Sequence, residues 1–343
     1  MIHICTAADQ NYILPLDALI NSMVRNMPEQ FTLHVLETGI PKSAQNKLKA
    51  LCKGTQGAVE FINMAKYEWP FPIKMYYWTD AIYYRMAIPN IFPDIDRMLY
   101  IDGDTLVLNS LGPLYNIDMP DRYFVAMVKD RFSGETRNHI SREYYNSGMI
   151  LFDMKKCREF NLFNKCYDWL VKYNSIVVFP DQDALNAVLS GYIMRVPMIY
   201  NNQVVTDMLE KNCFMPDIVM LHFLGKEKPW MPHSAHWAVN IYTKYMTSKL
   251  QQIKLKIGAW IYKTLYKFRP PAKISGPTNF EEFMMILQNE AKKNGIETKK
   301  FMDLKKKNNA DSLQEFVQLR KIFNEKKQKR DAAFRQMQKE QKE

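Results

Sequence analysis

The chain has 343 residues, 47% of them apolar and 13% aromatic, which is enough to bury a large core and excludes wholesale disorder. Its formal net charge of +11 is unevenly placed: residues 244–343 carry 24 Lys+Arg against 11 Asp+Glu, and the first 243 carry 23 against 25. The basic character belongs to the C-terminal part, so a nucleic-acid or membrane partner would concern that part alone. No run reaches the ~20 uninterrupted apolar residues that span a bilayer. Met1-Ile2-His3-Ile4-Cys5-Thr6 enters an apolar strand at once, without the pattern of a secretory signal. Cys5, Cys52, Cys157, Cys166 and Cys213 are scattered and form no Cys-x-x-Cys pair, which predicts reduced, packed thiols in a cytoplasmic protein.

In chain order, Ile2 to Thr6 predicts a strand and Leu14 to Met27 an amphipathic helix. Phe31 to Leu36 alternates as a second strand. Pro41 can open a helix carrying Leu48 and Leu51, and Gly54 can close it. Val59 to Ile62 is a third strand. After a Pro- and aromatic-rich loop, Trp69 to Pro72, a helix is expected over Trp78 to Ile88. Arg97 to Ile101 is a strongly apolar strand that runs into Asp102-Gly103-Asp104. Further strands are expected at Tyr123 to Val128, Ser147 to Phe152 and Val219 to His222, with helices at Leu162 to Tyr173 and Asp181 to Leu189. Strands alternating with helices argue for an α/β domain over residues 1–240.

Residues 241–343 read as a basic helical region. Met246, Leu250, Ile253, Ile257, Trp260, Ile261, Leu265 and Phe268 recur at helical spacing over about 244–268, with lysines interleaved. Arg269-Pro270-Pro271 ends that helix, and a charged, Lys- and Gln-rich tail covers about 278–343. The apolar stripe beside lysines fits an in-plane helix on a membrane surface, or a helix packed on the domain with solvated lysines. A nucleic-acid partner is the alternative for a tail of this charge. No nucleic-acid motif accompanies it, and its aromatics lie on the apolar helix face.

Asp102-Gly103-Asp104 lies between two apolar segments, at the carboxyl end of a buried strand, where open α/β sheets collect ligands. Two carboxylates flanking a glycine can turn toward one hard divalent cation shared with phosphate, although Asp-Gly-Asp is also ordinary turn chemistry. Asp181-Gln182-Asp183 opens an apolar helix after Pro180. Helix capping accounts for both acids and leaves Gln182 unexplained. His222 ends a strand, where a lone histidine is most often structural and an N/O site with the two acids is the alternative reading.

In these motifs and their order the chain resembles glycosyltransferase family 8, the retaining galactosyl- and glucosyltransferases that build lipopolysaccharide outer cores and related glycans. The resemblance runs from about residue 2 to residue 237. It implies a GT-A fold, a mixed Rossmann-like sheet flanked by helices. Thr6-Ala7-Ala8-Asp9-Gln10-Asn11-Tyr12 looks like the family's uridine-binding loop, so Ala7, Ala8, Asp9, Asn11 and Tyr12 would bind the donor. Tyr84-Arg85-Met86 resembles the helix segment whose Arg faces the donor. Tyr145-Asn146-Ser147-Gly148 resembles the Asn-x-Gly turn beside the donor sugar, and Asn146 and Asp130 would both bind the donor. His222-Phe223-Leu224-Gly225-Lys226-Glu227-Lys228 resembles the segment that supplies the third metal ligand, with Gly225 and Lys228 on the diphosphate.

The resemblance thus implies Asp102, Asp104 and His222 as ligands of Mn²⁺, with Mg²⁺ as the alternative ion. Gln182, Asp183 and Asp181 would lie at the reacting carbon. The implied activity is transfer of galactose or glucose from a UDP-sugar to a glycan or lipid-linked saccharide, with retention of configuration. A catalytically inactive nucleotide-sugar-binding relative is a third class, which the intact acids and His222 argue against. The site of action would be the cytoplasm, or the inner face of the cytoplasmic membrane.

Overall fold

The computed structural model of the chain describes residues 1–67, 81–132, 140–173, 177–206, 217–232, 234 and 236–266. Two units are distinguished: Met1–Lys172 with Val178–Phe268, and Tyr173–Val177 with Arg269–Glu343. Almost all of the second, including the charged tail expected over about 278–343, lies outside the described residues. The loop expected at Trp69 to Pro72 and Cys213 lie outside them too. Cys5, Cys52, Cys157 and Cys166 are buried free thiols.

The first unit begins with strand β1, Ile2–Asp9, which a single turn, Gln10–Tyr12, joins to helix α1, Ile13–Asn26. Leu16, Leu19, Ile20 and Met23 recur every three or four residues and form the buried face of α1. Strand β2, Phe31–Thr38, is buried along nearly its whole length, as befits a parallel strand covered on both faces. Helix α2, Lys42–Ala50, starts immediately after Pro41. Gly54, at φ 75°, then takes the left-handed conformation that turns the chain into β3, Gly57–Asn63. Helix α3 spans Ala81–Ile91, and β4, Arg97–Ile101, has the bounds its apolar run predicts. The expected start of α3 at Trp78 falls outside the described residues.

The chain continues through β5, Thr105–Val107; α4, Gly112–Tyr115; β6, Val125–Lys129; and β7, Tyr145–Asp153. Helices α5, Met154–Glu159; α6, Leu162–Lys172; and α7, Pro180–Val188 follow. The last elements among the described residues are β8, Ile193–Arg195; β9, Asn202–Val204; β10, Met220–Phe223; α8, Val239–Thr243; and α9, Lys249–Tyr266. Helix α9 starts later than the expected residue 244. Met246 packs in the core before the helix begins, and Thr247 is tied to Asp17 through its N–H (2.9 Å) and its hydroxyl (2.6 Å).

Seven strands form one mixed sheet in the order β3-β2-β1-β4-β7-β6-β8. β3, β2, β1 and β4 run parallel, β7 runs antiparallel to both β4 and β6, and β8 is parallel to β6. The carboxyl ends of β1, β4, β6 and β8 therefore share one edge with the start of β7. A second sheet, β5-β10-β9, sets Thr105 opposite His222 and Leu221 opposite Asn202. Helix α1 and the larger sheet enclose one core around Leu16, Ile20, Leu33, Leu99 and Leu151. The second core joins Leu106, Leu221 and Phe223 to Tyr242, Met246, Leu255 and Ala259. Full burial of each Leu, Ile, Phe or Met among them stabilises the fold by about 1.5–3 kcal/mol.

Candidate active site

At the end of β4 the Asp102 N–H donates to the Gly148 carbonyl (2.9 Å), and the Thr105 hydroxyl donates to the Asp102 carbonyl (2.8 Å), which closes the turn. The smaller sheet then carries His222 over it. Nε2 of His222 lies 3.5 Å from Asp102 Oδ2 and 3.3 Å from Asp104 Oδ1. One ligand atom from each of the three residues lies within 4.8 Å of the other two, so the trio could hold a metal ion. Two further features fit a cation. The Oδ1 of Asn201 accepts from His222 Nδ1 (2.9 Å), which fixes the ring with Nε2 turned toward the carboxylates. A Cβ on Gly148 would sit 2.2 Å from His222 Cε1 and 2.8 Å from Asp102 Oδ2, so only glycine admits this approach.

The acids are balanced by buried cations. Arg85 places Nη2 2.8 Å from Asp102 Oδ1 and Nε 3.1 Å from Asp181 Oδ2, and Nη1 donates to the Ser147 carbonyl (2.8 Å). Burial alone would lower the Arg85 pKa, but Asp102 and Asp181 outweigh it and hold the guanidinium charged. The Tyr100 hydroxyl donates to Asp102 Oδ1 at 2.7 Å. Burial pushes the Asp104 carboxyl up, yet Lys228 (2.7 Å) and His222 hold it well below the usual carboxylate range. Lys228 also donates to the Phe223 carbonyl. The negative charge of Asp104, then burial, raises the Tyr12 phenol.

Ala7, Ala8, Asp9, Asn11, Tyr12, Arg85, Asp102, Gly103 and Asp104 line one cavity of about 320 Å³, so nine of the expected donor-side residues are brought together. Asp9 Oδ1 accepts the Asn11 N–H at 2.8 Å, which caps the turn and leaves its other oxygen for a ligand. Asp130, Asn146, Gly225 and Lys228 do not line this cavity. Asp130 and Asn146 join Gln182 in a buried cluster. The Asn146 amide donates to Asp130 Oδ2 (3.3 Å) and to Gln182 Oε1 (3.2 Å), and Gln182 Nε2 donates to Asp130 Oδ2 (3.3 Å). Gly225 is exposed, at φ 80°.

The three α7 residues expected at the reacting carbon separate. Asp181 faces Arg85 and accepts from the Ser147 hydroxyl (2.8 Å), and burial shifts its pKa upward. Gln182 Oε1 accepts the Ser147 N–H at 3.0 Å. Asp183 departs from the expectation. It is fully buried, and its oxygens accept from the Tyr144 hydroxyl (2.5 Å) and from the N–H groups of Val178 (2.8 Å) and Phe179 (3.1 Å). Its place is that of a fastener for the start of α7. The sequence did not single out Asn201, Tyr100 or Ser147. The polar run Asn201-Asn202-Gln203, inside an otherwise apolar stretch, was the available signal for Asn201. Asn201 is fully buried and also donates to Asn146 Oδ1 (2.9 Å), so one hydrogen-bonded chain runs from His222 to Gln182.

A model of the family described as glycosyl transferase family 8 matches residues 3–233. The chain belongs to that family. Its relatives include a putative glycosyltransferase of Haemophilus influenzae, 27% identical over 247 residues that cover 68% of this chain and 74% of that protein. General stress protein A of Bacillus subtilis is 28% identical over 268 residues, 72% of this chain and 93% of that protein. Among solved structures, the galactosyltransferase LgtC in complex with donor and acceptor sugar analogs superposes with a TM-score of 0.62 at 26% identity. That match covers 72% of this chain and 97% of LgtC. The mixed α/β sheet and its helices are thus those of a family 8 glycosyltransferase, and glycosyl transfer is the class of activity.

Proposed function

We propose that the chain moves a hexose, galactose or glucose, from a UDP-sugar to a saccharide acceptor with retention of configuration, using Mn²⁺, with Mg²⁺ as the second candidate. The observation that carries this reading is the meeting of Asp102, Asp104 and His222 beside the cavity of the Ala7–Tyr12 loop. Their mixed nitrogen and oxygen donors suit Mn²⁺. When bound, the ion would offset the charge that grows on the leaving diphosphate.

The chain's own groups divide the remaining work. Ala7, Ala8, Asp9, Asn11 and Tyr12 form the wall for uridine. Arg85 holds Asp102 and Asp181 in place at the wall of the donor cavity. Lys228, now on Asp104, is the cation that can turn to the diphosphate, with Gly225 giving the loop its bend. The bond from the anomeric carbon to the diphosphate oxygen breaks, and the electron pair stays on that oxygen. The acceptor hydroxyl adds from the same face, and its proton passes to the leaving phosphate. Front-face attack is favoured because Gln182 offers an amide oxygen already engaged with Ser147, and both oxygens of Asp183 are bonded to protein donors. A covalent sugar trapped on Gln182 or Asp183 during turnover would contradict it. The test of the function is a panel of UDP-sugars incubated with Mn²⁺. UDP release from a UDP-hexose is expected, and its failure with every UDP-sugar would refute the reading.

The same proposal places the protein in the cytoplasm, against the inner membrane surface, where a lipid-linked acceptor would lie. Leu250, Ile253, Ile257 and Trp260 are 63%, 54%, 52% and 68% exposed on one stripe of α9. At roughly 100° per residue, Lys254 flanks that stripe on one side and Lys249 and Lys256 on the other. Each lysine near an anionic surface would contribute about 1 kcal/mol.

A further inference from the structure

A second cavity of about 320 Å³ is formed by Val128 and Lys129 at the end of β6, Arg195 at the end of β8, and Val196, Pro197 and Met198. It shares no residue with the donor cavity. Strand order sets the relation between the two. The donor cavity lies at the carboxyl ends of β1 and β4. The Asp130–Asn146–Gln182 cluster lies where β6 ends and β7 starts, and the second cavity at the ends of β6 and β8. All three sit on one edge of the sheet, with the cluster in the middle. Neighbouring strands are ~4.8 Å apart, which puts the second cavity within roughly 10 Å of the cluster.

Its walls continue directly into that cluster. Lys129 precedes Asp130, and the turn Met198–Asn201 begins at this cavity and ends at the side chain bonded to both His222 and Asn146. Gln203 braces the β6 wall, donating to the Lys129 carbonyl (3.0 Å) and accepting the Arg131 N–H (2.8 Å). Lys129 and Arg195 are exposed, and neither forms an ion pair among the described residues. Glu143, an acid at this end of β7, is held by the Tyr145 hydroxyl at 2.7 Å. Arg195 also acts on the Tyr145 phenol, and two exposed cations outside any ion pair, one of them a planar guanidinium, suit an anionic oxygen group such as phosphate or carboxylate.

We propose that this cavity is the acceptor subsite and that Lys129 and Arg195 select a saccharide carrying an anionic substituent. The proposal rests on the glycosyl-transfer reading for its place in the reaction. The recognition of an anionic sugar is a property of the cavity itself. The acceptor hydroxyl would then approach the reacting carbon across the Asp130–Gln182 cluster while its charged group stays at the sheet's outer edge.

Saturation-transfer NMR on the full chain with glucose 6-phosphate, glucuronate and glucose as probes tests this, alongside UDP with Mn²⁺ as a control for the donor cavity. At least one charged sugar is expected to bind about tenfold more tightly than glucose. The phosphate and carboxylate arms show which anion is preferred. In a Lys129→Gln/Arg195→Gln variant that preference should vanish while UDP binding stays within about twofold. Equal binding of glucose and both charged sugars by the unaltered protein would overturn the proposal, as would a preference that survives in the double variant. If the double variant also loses UDP, the single variants decide: each must weaken the charged sugar and spare UDP, and failure of both refutes the subsite. A charged-sugar preference without UDP binding in the unaltered protein would refute the donor assignment and leave the subsite standing.

Discussion

The edge of the larger sheet and the last helix reverse the usual rule of burial in opposite directions. At the sheet edge, Arg85, Asp181, Gln182, Asn201 and His222 are buried, and each is bonded to protein groups. On α9, Leu250, Ile253, Ile257 and Trp260 are exposed while Leu255 and Ala259 are buried in the second core. Buried polar groups are tolerable only when bonded, so the edge is a rigid frame whose members depend on one another. The exposed stripe instead turns apolar side chains outward, each contributing roughly in proportion to its own area. Disturbing one member of the frame should therefore cost far more than disturbing one member of the stripe.

The largest break comes from the frame's center. His222→Ala or Asp104→Ala is expected to lower UDP-hexose turnover roughly a thousandfold while circular dichroism stays native. Turnover that stays normal and metal-dependent in either variant would remove the metal assignment. The next effect lies in the core that joins the two regions. His236 accepts the Ala238 N–H on Nδ1 (3.1 Å), and burial holds its pKa at about 4. As the pH falls from 6.5 toward 4, the unfolded chain takes up this proton before the folded one. Stability is lost over that window, by about 3 kcal/mol at most. Burial shifts His3 and His34 in the same direction, so the contribution of His236 is the difference between wild type and His236→Gln in Tm against pH. Parallel curves would contradict it.

Asn201→Leu sharpens the frame at one remove. It keeps all three ligands but frees the His222 ring, and about a 10–100-fold loss of Mn²⁺ affinity is expected by titration. Unchanged affinity would show that the Asn201 bond to His222 does no orienting. The smallest effect belongs to the stripe. Trp260→Glu with Ile257→Glu should weaken flotation with anionic vesicles by about tenfold and leave turnover of a soluble acceptor unchanged. Equal flotation would refute the membrane face.

Much of the frame was legible because its parts lie beside strongly patterned strands. Met98 to Ile101 is an unbroken apolar and aromatic run, buried along its length, so the acids after it had to leave a buried strand end. His222 closes a run of the same kind. Asn201 escaped notice because β5 and β9 are three residues each and exist through pairing with β10, which no local period announces. Asp183 shows a different limit. Two acids at the start of a helix can cap it or face a ligand, and only the positions of Tyr144, Val178 and Phe179 decide that Asp183 fastens the helix. On α9 the spacing gave a stripe, but the face that docks is Leu255 and Ala259, with Met246 packed ahead of the helix.

The central claim is that one site at the carboxyl edge of the sheet holds both a divalent ion and a nucleoside diphosphate. Titration calorimetry of UDP into the full chain, with Mn²⁺ and then with a chelator, tests it most directly. UDP should bind with Mn²⁺ and lose at least about tenfold in affinity without it, and His222→Ala should abolish that difference. Equal UDP affinity in both conditions would contradict the account.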